Sequence, residues 1–104
     1  IVRIALGVAL LAFALGYLAF IAVYELGGFS IAARALHRSQ SRVSAHIAAL
    51  EDAVGEKLLN RDVSPPTLTA AGEAFLPHAR GVVAEWSSAV ASVRERRGQV
   101  SGTV

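Results

Sequence analysis

The sequence predicts a mainly α fold: three helices closing a small core, a short β-hairpin, and a long helix that follows the hairpin. Three observations predict it. Apolar residues recur at three- and four-residue steps in three stretches, capping residues and glycines punctuate those stretches, and a proline-bearing link from Ser64 to Pro66 interrupts the helical pattern between two short runs. With 104 residues the chain has room for one domain, or a small domain with one protruding helix, and not for a large enzyme.

The first stretch, IALGVALLAFALGYLAFIAVY from Ile4 to Tyr24, carries no charge and reaches the length of about 20 residues that a membrane span needs. Its six alanines and two glycines dilute the larger apolar residues, so insertion is only marginally favoured. From Tyr17 to Leu26 the spacing of Phe20 and Val23, flanked by Tyr17 and Tyr24, is that of a core-facing helical stripe, with Glu25 at the end that meets water. We therefore assign Tyr17–Leu26 to the domain as its first helix. Ile1–Gly16 precedes it as an apolar N-terminal extension of three possible kinds: a continuation of that helix packed in a dimer, a gene-start artefact, or part of an anchor. No convincing signal-peptide cleavage site follows it.

Gly27 and Gly28 stop the first helix, and Ser30 stands where the N-cap of a short second helix through Ala32, Ala33 and Leu36 is expected. After a turn at His37 and Arg38, Ser39 caps a third helix whose stripe is Val43, Ile47, Leu50 and Val54, with Gly55 as its stop. Two capped helices joined by a tight turn form a helix-turn-helix pattern, and the second shows Gln40, Arg42, Ser44, Ala45 and His46 away from its stripe. Two short runs, Lys57 to Arg61 and Thr67 to Thr69, flank Asp62 to Pro66 as a hairpin with a rigid tip. Pro65 and Pro66 lack N–H donors, so pairing fails there and resumes near Leu68. The result is a winged helix-turn-helix.

Thr69 caps the last helix, Glu73 lies in its first turn, and Pro77 should bend it. Phe75, Ala79, Val82, Trp86, Ala89 and Val93 alternate four- and three-residue steps, a seam of about three heptads. A helix from Thr69 to Arg97 is about 40 Å long and outreaches so small a body, so this seam is read as a dimerisation surface for a second copy of the chain.

Composition excludes several function classes. The chain has no cysteine, hence no disulfide and no thiolate chemistry, and its three scattered histidines form no metal-ligand cluster. No nucleophile–base–acid arrangement and no paired carboxylates appear, so the expectation is a non-enzyme without cofactor or metal. The net charge is only +2, but no acid falls between Glu25 and Glu51, the interval that holds Arg34, His37, Arg38, Arg42 and His46.

Taken in order, FIAVYELGGFSIAARALHRSQSRVSAHIAALEDAVGEKLLNR followed by LTAAGEAFLPHAR resembles the N-terminal DNA-binding domain of LysR-type transcriptional regulators, over roughly Tyr17 to Arg97. Ser39, Gln40, Val43 and Ser44 stand where that family has the same residues. Ser41 and Arg42 replace its usual proline and small residue, and Ala45 and His46 stand where a basic residue and Gln are frequent.

The resemblance implies a bacterial, sequence-specific regulator whose recognition helix, about residues 39–53, enters the major groove of double-stranded DNA, with the wing alongside. It divides the chain into the extension 1–16, the winged domain 17–69, a linker and dimerisation helix 70–97, and a tail 98–104. It also implies a homodimer on a near-palindromic site, a cytoplasmic location, and a small-molecule co-inducer only where a separate effector domain exists. Arg42, near the start of the helix, suits bidentate bonding to guanine. Arg34, Arg38 and Arg61 suit phosphates, as do Ser30, Ser39 and Gln40 at helix N-termini. Ser41, Ser44, Ala45 and His46 complete the expected interface. The alternative is a small inner-membrane protein, spanning at about 4–24, with a basic cytoplasmic helical module.

Overall fold

The structure, a computed structural model, describes the backbone of residues 2–102 and the side chains of residues 13–97. Six elements follow one another: α1 (Val2–Leu26), α2 (Phe29–Ala35), α3 (Gln40–Val54), β1 (Leu59–Asn60), β2 (Thr67–Leu68) and α4 (Ala70–Gly102).

Local chemistry sets most of the boundaries. Gly27 adopts a left-handed φ of 89° and its N–H returns to the Val23 carbonyl, which ends α1. Gly28, in extended conformation, precedes α2 without a side-chain cap. The helix therefore starts two residues earlier than a cap at Ser30 requires, and Ser30 lies exposed inside it. The α2–α3 turn closes with two paired bonds, from Arg38 N–H to Ala33 O and from His37 N–H to Arg34 O, around His37 at φ 55°. Ser39 then caps α3, its Oγ accepting from the Arg42 N–H at 3.2 Å, and Gly55 ends the helix at φ 92°. β1 and β2 pair antiparallel, Leu59 opposite Leu68 and Asn60 opposite Thr67, so the ladder stops short of the Pro65–Pro66 tip. Thr69 caps α4 by accepting from the Gly72 N–H, and the helix continues through Pro77.

The core lies where α1, α2 and α3 meet under the base of the hairpin. Phe20 and Val23 from α1, Val43 and Ile47 from α3, and Leu58 before β1 are fully enclosed, each contributing about 1.5–3 kcal/mol of apolar burial. Val54 departs from its stripe: beside the left-handed Gly55 at the end of α3 it remains 42% exposed.

Two expectations about α1 change. The helix begins well before Tyr17, and Gly16, the last residue of the expected extension, is buried, because an added Cβ there would sit 3.0 Å from Leu50 Cβ and 3.2 Å from the His46 carbonyl oxygen. α1 and α3 thus cross at a distance that glycine permits. A membrane span over 4–24 would draw Ala19, Phe20 and Val23 out of this core. The single-span alternative is therefore set aside.

Candidate nucleic-acid interface

Three arginines follow one another through the helix-turn-helix: Arg34 in the last turn of α2, Arg38 in the turn, and Arg42 in the first turn of α3. All three are exposed, and among the described residues no carboxylate pairs with any of them. Ser39, Gln40, Ser41 and Ala45 are exposed alongside, with Ser39 Oγ and Ser41 Oγ 3.2 Å apart at the cap. The buried stripe of Val43, Ile47 and Leu50 fixes the rotation of α3, so this polar edge faces outward.

Behind α3 lies a polar latch that the stripe pattern conceals. Glu51 is 3% exposed, and its Oε2 accepts from the backbone N–H groups of Leu58, at 2.7 Å, and Leu59, at 3.3 Å. Its Oε1 accepts from Arg61 Nη2 at 3.3 Å, while Arg61 Nη1 donates to Ser44 Oγ at 2.7 Å. The same guanidinium lies over the Phe29 ring, 5.1 Å from its centroid. The stripe reading gives Glu51 no role, yet it falls four residues after Ile47 and eight after Val43, and an acid on an apolar face is a signal of a buried acceptor.

These contacts rearrange the expected interface. Arg61 directs one bond from each terminal nitrogen to protein partners, unlike the free phosphate-binding side chain expected of it. His46 is half-buried: its Nε2 is buried with no hydrogen-bond partner among the described residues, and the residue lines a small cavity with Leu15, Leu18, Leu36, Arg38 and Val43, beside the close α1–α3 crossing. Ser44 is half-buried against the hairpin base.

The seam on α4 splits in two. Ala79 is buried, and Phe75 meets Tyr17 and Phe20 edge-on at 5.4 and 5.9 Å, so both belong to the core of their own chain and not to a free seam. Further along, Val82 is 49%, Trp86 71% and Val93 61% exposed, and Ala89 is exposed too. Ala14, Tyr17 and Leu18 of α1 face Val82, Val83 and Trp86 across an apolar groove of about 280 Å³. Arg80 Nε, donating to Glu25 Oε1 at 2.9 Å, fastens α4 to the end of α1.

Residues 17–73, more than half of the chain, match the family described as "Bacterial regulatory helix-turn-helix protein, lysR family". The chain belongs to the lysR family. Among its relatives, the HTH-type transcriptional regulator ShiR of Corynebacterium glutamicum (strain R) is 47% identical over 85 residues, which cover 82% of this chain and 29% of ShiR. A CbnR_DBD–DNA complex matches with a TM-score of 0.69 and 38% identity, covering 77% of this chain and 92% of that one. DarR of Vibrio fischeri, solved in complex with DNA, matches at 28% identity with a TM-score of 0.72, over 79% of this chain and 28% of DarR. The chain thus spans less than a third of ShiR and nearly all of CbnR_DBD, which locates its likeness to the lysR family in the helix-turn-helix, hairpin and long helix.

Proposed function

We propose that the chain binds double-stranded DNA as a sequence-specific transcriptional regulator, with α3 in the major groove and the hairpin wing beside it. The observation that carries this reading is the run of exposed, acid-free arginines Arg34, Arg38 and Arg42 across a capped helix-turn-helix. Arg42, in the first turn of α3, is assigned to a guanine edge, and Gln40, Ser41, Ser44 and Ala45 to the bases beside it. Arg34 and Arg38 are assigned to phosphates, with Ser30 and Ser39 near them, adding affinity without sequence information. His46 is left out of this interface because its Nε2 is buried.

The working unit is a homodimer on a near-palindromic site, formed where Val82, Trp86, Ala89 and Val93 of α4 meet a second copy. A Trp 71% exposed on an apolar seam supports this part. In this reading residues 17–69 form the DNA-binding unit, with Gly16 seated in its core, 70–97 join two copies, and the address is cytoplasmic. Titrating the chain against duplex DNA at several salt concentrations tests the function. We expect log affinity to fall linearly with log salt, with a slope reporting several phosphate contacts. Affinity independent of salt, or no complex at low salt, refutes the reading.

A further inference from the structure

We propose that Arg61 is a positioning residue that turns the Ser44 hydroxyl into a directed hydrogen-bond donor, so that Ser44 selects a base presenting an acceptor. The inference rests on the reading of α3 as the groove-entering helix, and it assigns Arg61 a role other than a phosphate contact.

Two contacts, one of them anchored in turn, hold the guanidinium still. Nη2 pairs with Glu51 Oε1 at 3.3 Å, the flat face lies over Phe29, and Glu51 is itself anchored by the N–H groups of Leu58 and Leu59. From that fixed position Nη1 donates to Ser44 Oγ at 2.7 Å, a short charge-assisted bond. Arg61 therefore takes up acceptor capacity of Ser44 and polarises its O–H. Among the described residues no protein group accepts that proton, although a helical serine often bonds back to the carbonyl four residues before it.

A hydroxyl held this way gives a proton more readily than it takes one. In the major groove it suits N7 or O6 of guanine, N7 of adenine and O4 of thymine, and it does not suit the N4 amino group of cytosine. The wing base thereby sets part of the readout without touching DNA. A long-range link of this kind, 17 positions apart in sequence, is invisible to spacing rules.

Selection of bound duplexes from a random pool, run on the wild-type chain, Ser44→Ala, Arg61→Gln and the double variant, tests the proposal together with the salt slope on a non-specific duplex. Both single variants should relax preference at one shared base pair, by about 2- to 10-fold, and the double variant should relax it no further. The slope of Arg61→Gln should equal that of the wild type. A slope lowered by about one with base preference intact makes Arg61 a phosphate contact and overturns the proposal. Should Arg61→Gln unfold, Ser44→Ala leaves the Glu51 pair untouched and decides with base analogues at the position it relaxes: removing the acceptor atom there should erase the difference between wild type and Ser44→Ala, and erasing it by removing the cytosine amino group instead overturns the proposal. A wild-type chain that binds no duplex at all removes the DNA reading itself, and the base contact with it.

Discussion

Glu51 joins α3 to the base of the hairpin at a single side chain. One carboxylate satisfies two backbone donors of the chain entering the hairpin and holds the arginine that reaches Ser44 on α3. Its burial at 3% would be costly for an unpartnered charge, and these donors are what make it tolerable. Removing it strands the Leu58 and Leu59 N–H groups and leaves Arg61 without a counter-charge. Glu51→Ala should therefore lose about 2–4 kcal/mol in urea unfolding, a large share of the roughly 5–15 kcal/mol that holds a domain together. A loss below about 0.5 kcal/mol would show that the latch contributes little.

At the scale of the element, the sequence makes the helices, their caps at Ser39 and Thr69, the stop at Gly55 and the two runs of the hairpin legible, because each depends on residues close together in the chain. Contacts between elements are less legible. Phe75 and Ala79 share the three- and four-residue spacing of Val82 and Trp86, yet the first pair packs inside its own chain while the second faces outward; periodicity reports an apolar face, not what covers it. The Arg61–Ser44 bond and the burial of His46 Nε2 have no local signal for the same reason. Gly72 is the sharpest case. An added Cβ there would clash with the Leu58 carbonyl oxygen, so only glycine lets the first turn of α4 press on the entry to the hairpin. Gly72→Ala, which on an isolated helix would stabilise, should here cost about 1–3 kcal/mol by forcing α4 away from the wing. A melting temperature equal to or above that of the wild type would contradict this packing.

For the whole molecule, the proportions bear on the working unit. α4 has 33 residues, about 50 Å of helix, and its apolar edge continues beyond the compact part of the chain. Trp86→Asp should give monomers in sedimentation at concentrations where the wild type dimerises, with the domain still folded, since Trp86 lies outside the core cluster. A persistent dimer would refute the assignment of the seam. Pairing two copies sets two α3 helices about one DNA turn, roughly 34 Å, or a small multiple apart, so a symmetric site follows from a symmetric protein. The cap at Ser39 and the exposed Arg42 make the first turn of α3 the centre of the proposed base contact. The most direct measurement compares duplexes selected from a random pool by the wild-type chain and by Arg42→Ala. We predict that the wild type enriches one near-palindromic sequence containing guanine at a fixed position. The variant should lose discrimination there by about 1–3 kcal/mol while keeping most of its non-specific affinity. An unchanged sequence preference in Arg42→Ala would contradict the account.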